Sequence, residues 1–455
     1  ILGTNSIKDT GYNVANSCRF NDGDSAYLKF TSSSGNRRTW TFSTWVKRST
    51  LTDDKQSLIG SYGAQSDAGY TQFRFQDGEV LNLTGWNTDW FTTNRKFRDV
   101  SAWYHIVLAV DTTNATAGNR LRLYINGTEE TSFSQSNNPD ENEDLAINVN
   151  GEVTYVGAES YTSGGSRYFD GYMAETVLID GLQLAPTSFG EFDEDSPTIW
   201  KPIDVSGLTR GTNGFYLDFE DSSNLGNDAF GDTDLTEVNL AATDQSTDTC
   251  TNNFATMNPL YVGLNANESL AEGNLKGLNT GNGENNYVST IGVSSGKWYF
   301  EAKANVAGDN YATIGIVATD SVLQTNGSWL GSTSDSFFYN ENGGIGTNGS
   351  ATTTGLATYA DNDIIGVRVN LDDNELHFYK NGTIITNTAL SITANKEYFF
   401  GGRVYSNATG WEYNFGSPHY AISSGNADAN GFGNFEHAPP SGYFSLCTKN
   451  LAEFG

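Results

Sequence analysis

Two eight-residue strings with one shared pattern stand far apart in the chain. Residues 121–128 read LRLYINGT and residues 376–383 read LHFYKNGT, so both fit L-x-x-Y-x-N-G-T. Asn-Gly readily takes positive φ at the two central positions of a hairpin, which favours a tight type I′ turn between antiparallel strands. The Tyr before the turn and the Thr after it are residues that strands favour. Each string therefore predicts a β-hairpin, which is a folding element rather than a functional site.

Other parts of the chain are also typical of antiparallel sheets. Residues 39–49, TWTFSTWVKRS, alternate, with Trp40 and Phe42 on one face and Thr41 and Ser43 on the other. Gly is abundant (50 residues) and Pro is scarce (8 residues), as expected for short strands joined by polar turns. No long window repeats apolar residues at helical spacing. At 455 residues, the chain is long enough for two or more cores, and we predict an all-β protein with two antiparallel β-sandwiches in series.

Changes in composition indicate where the predicted domains end. Residues 1–192 contain closely spaced strand patterns and form the first predicted sandwich. Residues 193–260 are rich in Asp, Asn, Gly and Thr and contain few alternating patterns, so they predict an irregular connector. Strand patterns resume in residues 261–420, which form the second predicted sandwich, and residues 421–455 are a C-terminal segment punctuated by Gly and Pro.

Charge and cysteine content exclude several classes of partner. The net charge is −29, which argues against nucleic acid and anionic membranes, because both require a basic surface. No run of 18 apolar residues is present, so we predict no membrane insertion. Cys18, Cys250 and Cys447 are too far apart to indicate a disulfide framework or a zinc site.

The sequence begins at Ile1 without Met or a signal segment, as a processed chain or a fragment of a longer protein would.

The order of several strings in the first half carries a family resemblance. These strings are FSTWVKRS (42–49), WYHIVLAVD (103–111), RLRLYINGTEE (120–130) and YFDGYMAETVLIDGLQLAPTSFGEF (168–192). Together they resemble the concanavalin A-like sandwich of laminin G-type domains, over about residues 10–192. The resemblance implies a jelly-roll sandwich of the lectin type.

A second resemblance covers about residues 275–420. GKWYFEAKA (296–304), DIIGVRVNLDDNELHFYKNGT (363–383) and the later NFG (414–416) are similar to the strands of SPRY domains. The resemblance implies a second, SPRY-type sandwich, whose partner surface lies on the loops at one end. Two unrelated sandwiches that both close with a hairpin explain the repeated octet as convergent turn chemistry.

The arrangement of the two modules resembles that of virion-associated proteins of tailed marine phages. The Asn/Thr-rich stretch at 242–259 and the tail string PPSGYFSLCTKNL (439–451) add to this resemblance. It implies a non-enzymatic homo-oligomer on the virion exterior, as a tail fibre, a spike or a capsid decoration. Its implied partners are other virion proteins and a host-surface glycan or protein. The alternative is a secreted or surface-bound bacterial lectin or adhesin, which would be extracellular.

Catalytic motifs in the chain are weak. Retaining glycoside hydrolysis needs two carboxylates about 5–5.5 Å apart, and EFDED (191–195) lacks the final acid of the E-x-D-x-x-E string that hydrolases of the resembled fold carry. Asp218 and Glu220 alternate with apolar residues, as on the solvated face of a strand. The histidines are isolated from one another and are expected to be structural: His105, His377, His419 and His437. We predict a protein that is not an enzyme, with a glycan depolymerase built on residues 191–195 as the less favoured alternative.

One acidic loop is a candidate calcium site. Ca²⁺ takes six to eight oxygen ligands from carboxylates, amides and carbonyls. Asp140, Asn142 and Asp144 have the D-x-N-x-D spacing of such ligands, but Leu145 stands where an EF-hand loop requires Gly. We predict these three residues as possible Ca²⁺ ligands, with a solvated acidic loop as the alternative.

Sugar binding requires an exposed aromatic ring beside amide or carboxylate groups, because a sugar has both an apolar face and hydroxyl groups. In the first half, the stretch at 83–95 has this mixture and supplies the candidates Trp86, Asn87, Asp89, Trp90 and Arg95. In the second half, the polar stretch at 328–344 supplies Trp329 and Tyr339. The alternative for each aromatic residue is that its ring packs inward beneath the loop.

Overall fold

The computed structural model describes residues 11–51, 54–162, 164–231, 234–261, 267–321, 323 and 327–455, with side chains undescribed at 160–164. These residues divide into two compact units, 11–251 and 252–455. Both units are built from antiparallel sheets, which confirms the predicted all-β class with two sandwiches.

The first unit is a sandwich of two eight-stranded sheets. Its strands are β1 (Ser17–Phe20), β2 (Tyr27–Thr31), β3 (Thr39–Arg48), β4 (Gln56–Tyr62), β5 (Tyr70–Gln76), β6 (Val80–Thr84), β7 (Asp89–Thr93), β8 (Tyr104–Asp111), β9 (Leu121–Ile125), β10 (Thr128–Glu129), β11 (Phe133–Ser136), β12 (Val153–Val156), β13 (Glu159–Thr162), β14 (Gly164–Ser166), β15 (Gly171–Asp180), β16 (Gly190–Phe192), β17 (Trp200–Pro202), β18 (Phe215–Leu217), β19 (Thr236–Val238) and β20 (Gln245–Ser246). One sheet has the order β10-β9-β8-β3-β15-β1-β20, with β18 paired to β15, and the other has the order β11-β7-β6-β5-β4-β12-β2-β19. Short 3-10 turns occupy Asp22–Asp24, Asp67–Gly69, Ala117–Asn119, Pro186–Ser188 and Ala242–Asp244.

The core of the first unit lies between these two sheets. Trp40 and Phe42 of β3 alternate into it, as the sequence predicts, and both are fully buried. Phe73 of β5 comes from the other sheet, and its ring meets that of Phe42 edge-on at 6.5 Å between centroids. Burial of such large side chains, each contributing about 1.5–3 kcal/mol, is the main source of stability of the sandwich.

Residues 193–251, which we predicted as an irregular connector, add strands to both sheets of the first sandwich. β18 pairs with β15, β19 with β2 and β20 with β1. The stretch is also fixed by a buried ion pair, in which Nζ of Lys47 on β3 lies 2.7 Å from Oδ2 of Asp248. Nε1 of Trp103 donates to Oδ1 of Asp248 at 3.2 Å. The polar composition that indicated a connector therefore belongs to loops that are held by short added strands and buried polar contacts.

The second unit is also a sandwich of two sheets. Its strands are β21 (Glu268–Ala271), β22 (Lys276–Asn279), β23 (Asn285–Val293), β24 (Lys297–Asn305), β25 (Thr313–Ala318), β26 (Ser336–Asn340), β27 (Ile345–Thr347), β28 (Ser350–Thr353), β29 (Ile364–Asn370), β30 (Glu375–Lys380), β31 (Thr383–Ile384), β32 (Leu390–Ser391), β33 (Tyr398–Val404) and β34 (Gly410–Asn414), and a terminal helix, α1, spans Thr448–Phe454. One sheet has the order β21-β22-β34-β24-β29-β30-β31, with β32 paired to β30, and the other has the order β23-β33-β25-β26-β27-β28. Among the residues described, no helix has the length and apolar character needed to cross a membrane.

The C-terminal segment at 421–455 is built into the second unit. Single β-bridges join Phe444 to Trp298 and Cys447 to Phe254. The buried carboxylate of Glu301 on β24 accepts backbone N–H groups from residues 436 and 437 at 2.9 and 2.8 Å. Burial raises the pKa of Glu301 to about 7, although these two hydrogen bonds act in the opposite direction. The segment therefore covers an acidic side chain that would otherwise lie exposed on the sheet.

The two Asn-Gly turns have the same geometry, as their shared sequence predicts. Asn126 and Gly127 have φ of +48° and +76°, and Asn381 and Gly382 have φ of +47° and +75°. In each turn the Asn Oδ1 accepts a backbone N–H from the neighbouring strand at 2.8 Å, from His105 in the first unit and from the residue at 364 in the second. The same pairs of residues are joined by a second hydrogen bond, from the Asn N–H to the strand carbonyl. The Asn side chain thus ties the turn to a third strand, in addition to forming the turn.

Replacing Asn381 tests this double role. Asn381→Ala loses the Oδ1 acceptor and places alanine, which tolerates positive φ less well than Asn, at a φ of +47°, so we expect the second unit to lose about 1–3 kcal/mol of unfolding free energy. Asn381→Gly keeps easy access to positive φ and loses only the two side-chain hydrogen bonds, from the N–H of residue 364 and to Asp363, so its loss should be smaller. Urea unfolding of both variants measures the two contributions. Equal losses in the two variants would show that the backbone preference of Asn contributes nothing.

Candidate functional site

The aromatic residues predicted as a sugar platform in the first unit do not form one. Trp90 is only 1% exposed and its ring lies in the core, so the prediction of an exposed ring there is wrong. The cause is a β-bulge: Leu83 pairs with Phe91 and Thr84 with Asp89, which leaves Trp90 as the extra residue of β7. Trp86 is partly exposed, but its ring packs edge-on against a tyrosine of β5, Tyr70, at 5.7 Å.

The polar candidates of the same stretch lie in two places. The backbone N–H of Asn87 donates to Oδ1 of Asp67 at 2.7 Å, and Asp89 accepts from Asn82 at 3.2 Å, so both belong to the turn between β6 and β7. Arg95 lies beyond β7 and donates from Nε to Glu130 at 2.6 Å. These contacts give the three polar residues structural partners within the sheet and its turns.

The predicted calcium ligands have contacts of a different kind. Oδ1 of Asp144 lies 2.6 Å from Nε of Arg38, and Oδ2 lies 3.8 Å from Arg37, so two guanidinium groups occupy the place that a cation would take. Asp140 and Asn142 hold the loop through their backbone N–H groups, the latter by donating to the carbonyl of residue 112 at 2.8 Å. In the described ranges no group of three or more His, Cys, Asp or Glu side chains is arranged to hold a metal.

The two candidates in the second unit differ in their exposure. Tyr339 on β26 is fully buried, and its hydroxyl donates to the carbonyl of residue 357, so the prediction of a surface role for its ring is wrong. Strand alternation explains this, because Phe337 and Tyr339 point to the same side, into the core between the sheets. Trp329 lies in the loop before β26 and is partly exposed, with its ring edge-on to Phe338 at 5.4 Å.

Trp329 belongs to a surface group that the sequence did not reveal. We define the aromatic loop cluster as Glu284, Tyr311, Trp329, Arg403 and Tyr405. Tyr311 and Tyr405 are 53% and 37% exposed, and their ring centroids are 5.1 Å apart. The buried guanidinium of Arg403 lies 5.5 Å from the Tyr311 ring and 4.7 Å from the Trp329 ring. It pairs with both carboxylate oxygens of Glu284, at 2.5 and 2.7 Å.

Four loops at one end of the second sandwich position this cluster. Glu284 precedes β23, Tyr311 precedes β25, Trp329 precedes β26, and Tyr405 follows β33. The carboxylate of Asp309 fixes two of these loops, because it accepts the backbone N–H of Tyr311 at 2.9 Å and of Tyr405 at 2.7 Å. Two exposed tyrosines are therefore held at a set separation by buried polar contacts.

Such an arrangement can bind a ligand that has an apolar face and a polar edge. Aromatic rings offer large contact areas at a small cost in side-chain entropy, and a phenol hydroxyl or a carboxylate at the rim can bond hydroxyl groups. Arg403 neutralises Glu284, so the cluster does not carry an isolated buried charge. The sequence does not single out Tyr311 and Tyr405, because each stands at the end of a strand-like string, YATIGIVAT (311–319) and EYFFGGRVY (397–405).

Comparison with known families assigns both units. Residues 22–182 match the concanavalin A-like lectin/glucanases superfamily, and residues 297–417 match the SPRY domain. The chain carries a concanavalin A-like domain followed by a SPRY domain. We refer to the first and second units by these names. No curated protein sequence matches the chain.

Several solved structures show limited similarity to this chain. The human HERC1 SPRY domain is 17% identical, with 34% of this chain and 96% of that one covered and a TM-score of 0.27. A candidate carbohydrate-binding protein from Bacteroides ovatus is 15% identical, with 50% and 58% covered and a TM-score of 0.34. A heptameric SAP-like pentraxin from Limulus polyphemus is 14% identical, with 38% and 80% covered and a TM-score of 0.29.

Ser43 and His105 form a Ser–His pair in the concanavalin A-like domain, and its geometry opposes nucleophilic catalysis. Oγ of Ser43 lies 2.9 Å from Nε2 of His105, and Nε1 of Trp200 lies 2.9 Å from Nδ1. Because an indole only donates, Nδ1 is the acceptor, and the neutral ring carries its proton on Nε2 and donates it to Ser43. Burial lowers the pKa of His105 to about 3. The ring thus has no vacant nitrogen facing the serine with which to accept its proton.

The acidic string at 191–195 in the same domain is engaged in structural contacts. Nζ of Lys201 on β17 lies 3.3 Å from Glu191 and 3.4 Å from Asp193. Asp193 also accepts backbone N–H groups from residues 195 and 196, at 3.0 and 2.8 Å, so it forms the turn before β17. Both acids hold the β16–β17 hairpin through a shared lysine.

Proposed function

We propose that this protein is a non-enzymatic recognition protein that binds a glycan, with the aromatic loop cluster of the SPRY domain as a contact surface. The exposed pair formed by Tyr311 and Tyr405 is the observation that carries the proposal, because two fixed rings, 5.1 Å apart and tilted by 57°, present an angled aromatic surface on which a pyranose face can pack. The lectin superfamily match of the other domain supports a glycan as the ligand. Rigid sheets that hold loops at one end are a common architecture for recognition.

Removing one ring of the platform tests the glycan proposal. Tyr311→Ala loses a stacking surface, so we expect affinity to fall about tenfold, which corresponds to about 1.4 kcal/mol. The full chain is screened on an array of neutral hexose and N-acetylhexosamine oligosaccharides, and the best hit is titrated by calorimetry. Phe192→Ala is the matched control, because Phe192 is 43% exposed and lies in the other domain. Unchanged affinity in Tyr311→Ala, or the same loss in Phe192→Ala, would count against the cluster.

The biological setting that we propose is the exterior of a virion. The protein would act there as a homo-oligomeric tail fibre, spike or capsid decoration, bound to other virion proteins and in contact with the host surface. The resemblance of the two-domain arrangement to virion-associated phage proteins supports this setting. A secreted or surface-bound bacterial lectin is the alternative, which the lectin superfamily match also supports.

Copy number per particle distinguishes these settings. Quantitative mass spectrometry of purified particles measures the ratio of this protein to the major capsid protein. Hundreds of copies would identify a capsid decoration, and between three and a few tens would identify a fibre or spike. Absence from the particles would overturn the virion proposal and favour the bacterial lectin.

A further inference from the structure

An open cleft of about 570 Å³ lies at one end of the concanavalin A-like domain. Its walls come from the loop between β2 and β3, the loop before β12, the end of β15 and the loop before β18. The lining residues are Ser34, Gly35, Asn36, Arg37, Arg38, Asp144, Asp180, Gly181, Gly211 and Thr212. A volume of this size falls within the range of small-molecule sites.

Asp180 at the end of β15 holds the walls of the cleft together. Its carboxylate accepts the backbone N–H of Asn36 at 2.7 Å and of Asn213 at 3.1 Å, and the side-chain amide of Asn148 at 3.1 Å. Gly211 has φ of +77°, and a Cβ there would lie 1.9 Å from the carbonyl oxygen of Asp180. The loops are therefore packed closely on one buried carboxylate, which makes the cleft a built feature of the fold.

Arg38 gives this cleft a chemical preference. Its Nε donates to Asp144 at 2.6 Å, and its side chain is 42% exposed. Within the described residues, its two terminal amino groups, Nη1 and Nη2, have no protein acceptor. The neighbouring Arg37 already uses two of its donor groups within the protein, because its Nε and Nη2 donate to the carbonyls of residues 145 and 68. Arg38 therefore presents two parallel N–H donors, the geometry that binds a carboxylate or sulfate most strongly.

A smaller cavity of about 140 Å³ lies beside the cleft, and Thr212 lines both. Phe30 and Phe215 line this second cavity, with their rings edge-on at 5.6 Å between centroids. Phe215 is only 2% exposed, and Ser33, Arg210 and Thr212 line the same cavity. The cleft and this cavity, together called the groove, thus offer donors for an anionic group at one end and polar groups for hydroxyl groups at the other. A simple inorganic anion would fill only a small part of it.

We propose that this groove binds a saccharide that carries a carboxylate or a sulfate, with the anionic group on the fork of Arg38 and a neighbouring sugar unit beyond Thr212. An anion can bind at this cleft even though the net charge of the chain is −29, because the charged side chains that line the cleft are paired. Arg37 and Arg38 balance Asp144 and Asp180, so an anion at the cleft meets a neutral lining. This site is separate from the aromatic loop cluster and goes beyond the function proposed for it.

The test uses calorimetric titration of the full chain with trigalacturonate, with a sulfated trisaccharide and with neutral maltotriose. We expect at least one anionic trisaccharide to bind, and maltotriose to bind at least about tenfold more weakly, because it lacks a charged acceptor for the arginine. Preference for the uronate or for the sulfate ester identifies which anion the site takes. Equal affinity for maltotriose, or no binding of either anionic trisaccharide, would overturn the proposal.

Three variants locate the binding. Arg38→Gln should weaken the anionic ligand at least about tenfold, and Arg38→Lys should restore only part of that loss, because lysine keeps the charge without the fork. Thr212→Trp should block the groove, because Thr212 lines both cavities and is exposed, so the larger ring would lie in the groove. Arg98→Gln is the matched control, since Arg98 is exposed and lies outside the cleft.

The outcomes of these variants are distinct from those of the SPRY-domain test. Tyr311→Ala should bind the anionic trisaccharide with the affinity of the native chain. A negative result in the glycan test of the aromatic loop cluster would therefore not contradict the proposal for the groove. Native affinity in both Arg38→Gln and Thr212→Trp would overturn it.

Discussion

Asp248→Ala should lower the free energy of unfolding of the concanavalin A-like domain by about 3–5 kcal/mol. The ammonium of Lys47 and the carboxylate of Asp248 are each only 1% exposed in the side chain and lie 2.7 Å apart. Removing the carboxylate leaves a buried cation without its counter-charge, and it also removes the acceptor for Nε1 of Trp103. The loss should therefore far exceed that of an exposed pair.

Urea unfolding followed by hydrogen exchange of peptides from each domain measures this effect. Glu129→Ala is the control, because Glu129 and Arg122 form a pair that is 41% and 33% exposed in the side chains. Such a pair contributes less than about 1 kcal/mol. The double variant Lys47→Met with Asp248→Leu should recover much of the loss, since it removes both charges together. A loss below that of Glu129→Ala would show that the buried pair contributes nothing to stability.

A fragment that ends at residue 192 should fail to fold, whereas a fragment that ends at residue 251 should fold to a soluble domain. The shorter chain lacks β18, β19 and β20, which pair with β15, β2 and β1 in the two sheets. It also lacks Asp248, so Lys47 would lose the buried carboxylate that lies 2.7 Å from its Nζ. Unpaired sheet edges with apolar neighbours are sites of aggregation.

Expression of both fragments, each starting at residue 11, provides the measurement. We expect the longer one to give a cooperative thermal transition and the shorter one to be insoluble or to bind a hydrophobic dye. A fragment ending at residue 235 is an intermediate case, because it keeps β18 but loses β19 and β20. A soluble, cooperatively unfolding fragment that ends at residue 192 would contradict the assignment of residues 193–251 to the first sandwich.

Local patterns in the sequence predicted most of the strands. Trp40 and Phe42 alternate into the core, and the two Asn-Gly strings form the same turn, because both features depend on neighbouring residues alone. The strands β19 and β20 escaped prediction, since they have only three and two residues and are defined by their partners in the sheets. Pairing across more than a hundred residues leaves no periodic signal.

The candidate site was harder to predict for the same reason. Trp329 was identified from its aromatic character in a polar loop, but Tyr311 and Tyr405 became its neighbours only when four loops met at one end of the sandwich. Trp90 was misassigned because a bulge breaks the alternation of β7 and turns two successive aromatic residues inward. Side chains from distant loops converge through topology, which residue type and spacing do not encode.

The position of β1 in its sheet has a consequence for synthesis on the ribosome. β1 (Ser17–Phe20) lies between β15 and β20, and the latter (Gln245–Ser246) is made last. At about 5–20 residues per second, the roughly 225 residues between β1 and β20 take about 10–45 s to translate. During that time one edge of the first strand has no partner on the same chain. Neighbouring nascent chains on one mRNA can therefore pair through this free strand edge. Slower translation initiation or a chaperone that covers the edge should raise the yield of folded protein.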